Sequence, residues 1–281
     1  MKYTPRQPPE GINTTIEHPL KEFAYLLGGL GMLIATTIVV LSLSVDYLVE
    51  FIPPSAEVKL FRVESDAAPN DADNNAEEQR VLAYLAERVT HINSVAEQPQ
   101  AIVVDIVNSA DANAFVLPGG RVFVTTGLLK LLDTENGLTM VLAHEWAHQQ
   151  LRHPIKGLGK GLIITAALAV ITGTQDNAWL SNVLGGAVNV GMLAFSREQE
   201  RDADTLGLAL TTRVYGHSTG ADEFFAKMMS NDSALDIRAF LRTHPPTDAR
   251  LARIEQQSPH RDHQAATPLP HFIKAYAAAA F

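Results

Sequence analysis

The apolar positions of this chain follow different patterns in different stretches. From Phe23 to Val45 no charged residue occurs, and Leu, Ile, Val, Gly and Ala dominate. At about 1.5 Å per residue that run crosses a hydrocarbon layer of about 30 Å, which predicts a transmembrane helix. It is longer than the apolar core of a cleavable leader, about 7 to 15 residues, so an anchor is favoured although Ser42-Leu43-Ser44 has the small-x-small form of a cleavage site. Ahead of it lies a polar tail over 1–22, broken by Pro5, Pro8, Pro9 and Gly11. Behind it, 46–76 reads as an acidic linker, because from Ser65 onward the residues are small, polar and nearly free of apolar side chains.

From Glu77 a folded domain begins. Val81, Leu82, Leu85, Val89 and Ile92 recur at helical spacing and predict an amphipathic helix that ends before Pro99. Ala101 to Val107 reads as a strand by its β-branched content. Ala114–Leu117 and Arg121–Thr126 flank the turn Pro118-Gly119-Gly120, and together the three predict a small antiparallel sheet. A short helix over Gly127–Leu132 and a longer one over Thr134–Arg152 follow. Gly161–Thr174 and Ala178–Phe195 are apolar and split by Gln175-Asp176-Asn177. At about 21 and 27 Å they fall short of a comfortable crossing, so 161–195 is expected to be a helical hairpin on the domain or on the bilayer surface. Short helices are expected over Ala221–Ser230 and Leu235–Leu241, and 258–281 reads as a surface-packed or mobile extension. The expected class is α+β, mainly helical, with one N-terminal anchor and a domain over 77–257.

Composition removes several functions. A net charge of −9 and a pI near 5.5 offer no basic field for phosphates, so no nucleic-acid partner is expected. There is no cysteine among the 281 residues, so any metal must be held by carboxylates and by the ten histidines. Lys2, Arg6 and Lys21 precede the apolar run, whereas Asp46, Glu50 and Glu57 follow it before the first cation, Lys59. That bias places the N-terminus in the cytoplasm and the domain outside it.

The chemistry starts with His144-Glu145-Trp146-Ala147-His148, inside the expected helix over Thr134–Arg152. Residues four apart share a helical face, about 5 to 6 Å apart at Cβ, so both imidazoles can reach one metal ion while Glu145 sits on the flank as a base. A catalytic zinc needs one more protein ligand and an open position for water. The metzincin continuation would need Gly at 151 and His at 154; Leu151 and Pro154 stand there, and His153 is off by one. The third ligand must therefore come from another helix. Glu200 and Asp204 are four apart in a charge-dense segment directly after the second apolar stretch, with Gly207 a turn further on. A ligand carboxylate followed by an acid able to accept the far N–H of a bound imidazole is the two-layer arrangement of a zinc site.

His144-Glu145-x-x-His148, followed some fifty residues later by Ser196-Arg197-x-x-Glu200-x-x-Ala203-Asp204-x-x-Gly207, resembles the HtpX-type and CAAX prenyl endopeptidase family of gluzincin metallopeptidases. Asn113 to Leu129 and His244-Pro245-Pro246-Thr247-Asp248-Ala249-Arg250 are similar to further family signatures. The likeness runs from about Glu77 to Gln257. It implies a zincin-type domain holding one Zn2+ on His144, His148 and Glu200, with Glu145 as catalytic base; Asp204 and Arg197 are expected behind the ligands.

The function expected from these readings is a membrane-anchored zinc endopeptidase of a bacterial inner membrane, its domain on the periplasmic side. Unfolded or membrane proteins would be its substrates and the lipid bilayer its other partner. Substrate is expected to add as a strand to an edge offered by Arg121, Val122, Phe123, Val124 and Thr125. His244, on a loop before two prolines, has three readings: a surface residue, an oxyanion-stabilising donor, or a reversible fourth ligand. Arg250 is expected to pair with a carboxylate. The competing class is a chaperone or scaffold that keeps a structural zinc.

Overall fold

The computed structural model describes residues 18–61, 76–172, 195–229, 240, 244, 250, 252–253, 256 and 264–280. Helix α1 (Pro19–Glu50) opens with proline at its first position, where the missing N–H costs nothing, and leaves nearly all its side chains exposed. Burial begins only at Val45 and Val49. Helix α2 (Pro54–Phe61) then corrects the reading of 46–76 as linker throughout. Its Glu57 is buried because it accepts from Gly119 N (3.0 Å), Gln149 Nε2 (3.1 Å) and Arg152 Nη2 (2.7 Å). The rest of that linker, like the tail before 18, lies outside the described residues.

Helix α3 (Ala76–Val95) buries the expected stripe, Val81, Leu85, Val89 and Ile92. Three strands follow: β1 (Val103–Val107), β2 (Ala114–Leu117) and β3 (Arg121–Thr125). The β2–β3 hairpin turns on Gly119 and Gly120, whose φ of 89° and 85° suit only glycine well. The sheet is mixed, not purely antiparallel, because β1 pairs with β3 in parallel and the order is β1-β3-β2. The physical cause is the loop after β1. It is pinned over the end of β3, with Ser109 N donating to Thr126 Oγ1 (3.1 Å), Gly127 N to Ser109 O (2.8 Å) and Asn113 N to Thr125 Oγ1 (2.9 Å), so the chain crosses to the far side of β3 before β2 starts.

Helix α4 (Thr126–Leu131) is capped by Thr125, and α5 (Glu135–Gln150) by Thr134, whose hydroxyl accepts from Gly137 N at 3.0 Å. Every residue of α5 from Asn136 to Gln149 is buried, so this helix is the axis of the domain. It packs on α3, β2 and α7 (Arg197–Tyr215), the last being its main partner. A capping box of Ser196 and Gln199 starts α7, and Gly216 in the left-handed region ends it. Of the apolar hairpin, the first arm is α6 (His153–Thr172), which starts earlier than expected; the second arm lies outside the described residues. So does most of the helix expected over 235–241, while α8 (Glu223–Met229) matches its neighbour. The extension after 258 enters the core: Leu269 and, from α9 (His271–Ala279), Ile273 and Ala277 are buried with Val81, Leu128 and Leu138.

Candidate metal centre

Two helices make the centre. α5 contributes His144, Glu145 and His148, and α7 contributes Glu200 and Asp204, all of them buried. Gly207 allows the helices to close: a Cβ there would lie 3.1 Å from His144 N and 3.2 Å from its Cα. A larger residue would push the carboxylate of Glu200 away from the imidazoles.

The donor atoms converge. His144 Nε2 and His148 Nε2 are 3.0 Å apart, and Glu200 oxygens lie 3.6 Å from the first and 3.5 Å from the second. His244 completes the group, with Nδ1 3.3 Å from His144 Nε2 and 2.9 Å from Glu200 Oε1. Ligand atoms set tetrahedrally about 2.0 to 2.1 Å from a zinc ion are about 3.3 Å from one another, so these separations match such a cage. Among the described residues His144, His148, Glu200 and His244 form the group able to hold a metal ion. Charge also calls for a cation here, since the carboxylates of Glu145 and Glu200 are buried beside the imidazoles and no side chain hydrogen-bonds either oxygen of Glu145. The residues present fit zinc.

A further layer fixes the ligands. His144 Nδ1 lies 3.1 Å from Asp204 Oδ1, off the ideal line of a hydrogen bond, which leaves Nε2 to face the centre. Burial lowers the pKa of His144, but Asp204 and Glu200 outweigh it and lift the imidazole to about 9 where no cation competes. His148 Nδ1 meets His153 Nδ1 at 2.9 Å, and burial followed by the charge of His144 holds His148 well below the ordinary histidine range. Phe195 stacks on His148 with ring centres 3.9 Å apart, and Phe240 stacks on His244 at 4.4 Å. Arg250 closes the far side of the carboxylates, with Nη1 2.7 Å from Glu200 Oε2. Glu145 stands at the flank, its Oε1 3.5 Å from His244 Nε2. Burial raises its pKa most, against opposing pulls from His244 and His144 and a weaker one from the main-chain N–H of Val116 in β2.

Three expectations change on this geometry. His244 is fully buried in the cluster, which removes its reading as a surface residue. Arg197 is exposed at the first turn of α7 and stays outside the shell behind the ligands, a place that Arg250 fills from the other side. Arg121 to Thr125 cannot receive a substrate strand, because β3 is the central strand and its main chain is engaged by β1 and β2. Arg121 instead pairs with Asp105, Val122 and Val124 are buried, Phe123 stacks on Phe115 at 5.0 Å, and Thr125 caps α4. The outer edge of β2 is the one beside α5 and Glu145. His153, Phe195 and Phe240 were not singled out from sequence as parts of the centre. For His153 the helical spacing carries no signal, because its place depends on Arg152 adopting φ 60°, which reverses the chain after α5 so that the next residue folds back onto His148.

The comparisons agree with this chemistry. A family model described as Peptidase family M48 matches residues 75–258. A mitochondrial metalloendopeptidase OMA1 from Schizosaccharomyces pombe is 34% identical over 157 residues, covering 55% of this chain and 46% of the relative. The protein of the same name from Saccharomyces cerevisiae is 32% identical over 165 residues, covering 56% and 47%. A beta-barrel assembly-enhancing protease from Yersinia pestis is 29% identical over 171 residues, covering 55% and 35%. The matched stretch thus spans under half of each of these relatives.

Proposed function

The chain belongs to peptidase family M48, and from that membership and the buried His144–His148–Glu200 cluster we propose that it is a membrane-anchored zinc metalloendopeptidase acting on unfolded or membrane proteins. The observation that carries the reading is the pairing of a tetrahedral donor set with a buried carboxylate beside it, Glu145, that no side chain hydrogen-bonds. A purely structural zinc has no use for such a base, which counts against the scaffold alternative.

Bound zinc would supply a Lewis acid that polarises the scissile carbonyl and lowers the pKa of a neighbouring water to about 7. His144 and His148 would present Nε2 to the ion, because Asp204 and His153 lie against their other nitrogens. Glu145, its pKa raised by burial, takes a proton from the attacking water and delivers it to the leaving amine nitrogen. The outer edge of β2, Ala114–Leu117, replaces β3 as the strand against which an extended substrate would pair, since main-chain hydrogen bonds tolerate varied sequences. The place of His244 in the donor cluster supports the reading of it as a fourth ligand that holds the corner water and substrate need, in which case turnover requires His244 to withdraw.

The apolar helix α1 is the anchor of this reading. Lys2, Arg6 and Lys21 support a cytoplasmic N-terminus and a domain beyond the membrane, in the periplasm of a bacterial cell. The decisive experiment is Glu145→Gln in the purified full chain. It is expected to bind one zinc per chain as before and to lower cleavage of an unfolded protein by about 10² or more. Undiminished, chelator-sensitive cleavage by this variant would remove Glu145 from the reaction.

A further inference from the structure

Helix α6 packs antiparallel on the end of α1. Arg152, just before α6, donates to the carbonyl of Ile52; Ile155 is buried with Val45 and Val49; a Cβ on Gly159 would fall 2.8 Å from Val45 Cγ1; and Lys160 Nζ lies 2.8 Å from Asp46 Oδ2. As α6 advances from 152 to 160, its partners on α1 therefore retreat from 52 to about 45. The next residues of α6 must run back beside the apolar stretch of α1. Partly shielded positions Ser42, Ile38 and Ile34, four apart, continue the packed face of α1 in that direction.

The charges stop at one level on both helices. Asp46 is the first charge after the apolar run of α1, and Lys160 is the last before an uncharged stretch from Gly161 to Thr172. The two are joined in one ion pair. Beyond them α6 exposes Ile164 (51%), Leu168 (55%), Val170 (80%) and Ile171 (60%), and α1 exposes Val40, Leu33 and Leu26 at 55% to 74%. A water-facing helix end of this composition would leave a large contiguous apolar patch uncovered.

We propose that α6 dips into the bilayer beside α1, with Asp46–Lys160 marking the membrane surface and 161–172 immersed in the lipid. This rests on the reading of α1 as the anchor. Twelve residues at about 1.5 Å each reach about 18 Å, roughly half of a hydrocarbon layer of about 30 Å. From 161 to 168 every main-chain carbonyl can be bonded within the helix, which makes that stretch tolerable in lipid. His153, which holds His148, is seven residues below Lys160 on the same helix, about 10 Å along its axis. The metal centre would thus sit just beneath the headgroups. A cleft of about 780 Å³, lined by His153, Phe195, Lys160, Ile164 and Leu168 among others, lies along the same helix. Substrate segments emerging from the membrane are the class this placement favours.

The absence of cysteine allows a direct test. Single variants Ile164→Cys, Leu168→Cys and Ile171→Cys of the full chain are labelled with a small fluorophore and reconstituted into phosphatidylcholine vesicles. Leu33→Cys on α1 serves as the lipid reference and Glu87→Cys on α3 as the aqueous one. The expected result is several-fold weaker quenching by iodide than at 87, with strong quenching by brominated acyl chains whose optimum depth increases from 164 to 171. Iodide quenching like that at 87 would overturn the proposal. So would uniform shallow quenching at all three positions, the signature of a helix lying flat on the surface. None of these readouts depends on catalysis, so the immersion of α6 stands or falls separately from the peptidase reading.

Discussion

Arg250 grips Asp204 through two parallel hydrogen bonds, Nε to Oδ2 and Nη2 to Oδ1, both 2.8 Å long. The same guanidinium reaches Glu200, so one cation balances two buried carboxylates, Glu200 among the donor atoms and Asp204 behind His144. This fixes the acid of α7 in place before any metal arrives.

Arg250→Met should leave those two carboxylates buried with one compensating charge fewer. Breaking a buried pair in this way costs about 3 to 5 kcal/mol, so the variant is expected to melt well below the parent and to bind zinc more weakly. Arg250→Lys should recover only part of the loss, because an ammonium cannot reproduce the two parallel bonds. Thermal unfolding and zinc titration of the three proteins check this; an unchanged melting temperature for the methionine variant would show that the clamp contributes nothing.

His244 sits where a fourth ligand would, and its removal opens that corner. His244→Ala is therefore expected to keep the zinc on His144, His148 and Glu200 and to raise basal cleavage of an unfolded protein several-fold. A donor to the oxyanion would give the opposite result, a loss of about 10² or more in kcat. Steady-state kinetics with equal zinc occupancy separates the two roles.

Much of this centre was legible in the linear chain because it depends on helical periodicity. His144 and His148, and likewise Glu200 and Asp204, are four apart, and that spacing alone sets each pair on one face. The stripe of α3 was legible for the same reason. What periodicity cannot supply is which partner a strand takes. β1 and β2 look like neighbours from the short loop between them, yet the hydrogen bonds of Ser109 and Asn113 carry that loop across β3. Long-range polar partners were invisible too: Glu57 looks like part of an acidic linker until Gly119, Gln149 and Arg152 are seen around it. Arg197 was placed behind the ligands by motif, whereas burial gives that place to Arg250.

Alkaline pH should loosen the joint between α3, α5 and α7. There Glu135 accepts from Tyr215 (2.8 Å), Tyr84 and Arg88. Burial foremost, with the Glu135 carboxylate adding to it and the Thr139 contact opposing it, pushes the Tyr215 hydroxyl up to about 12. An unfolded tyrosine ionises near 10. Between these values the unfolded chain gives up its proton first, so the stabilisation is complete below pH 10 and lost as pH rises toward 12. Tyr84 is shifted in the same direction by burial and Glu135. The urea midpoint should fall over this window, and Tyr215→Phe should flatten the fall. An equally steep profile in the variant would assign the titration to other groups.

The link between anchor and centre runs through Glu57. Its carboxylate, 1% exposed, ties α2 to the β2–β3 turn at Gly119, to Gln149 and to Arg152, and Arg152 also donates to the carbonyl of Ile52. Gln149 follows His148 directly and Arg152 precedes His153, so both imidazoles of that pair hang from residues that Glu57 holds. Glu57→Ala would take the carboxylate from the Arg152 guanidinium and the acceptor from the Gly119 N–H together, at a cost of about 3 kcal/mol for the broken pair. Glu57→Gln keeps the shape and one acceptor, and should cost less. If the strut positions His148, both variants will also bind zinc more weakly, in the order Ala then Gln. Zinc titration in detergent-solubilised full chain tests this, and an alanine variant that is destabilised yet holds zinc as tightly as the parent would confine Glu57 to stability alone.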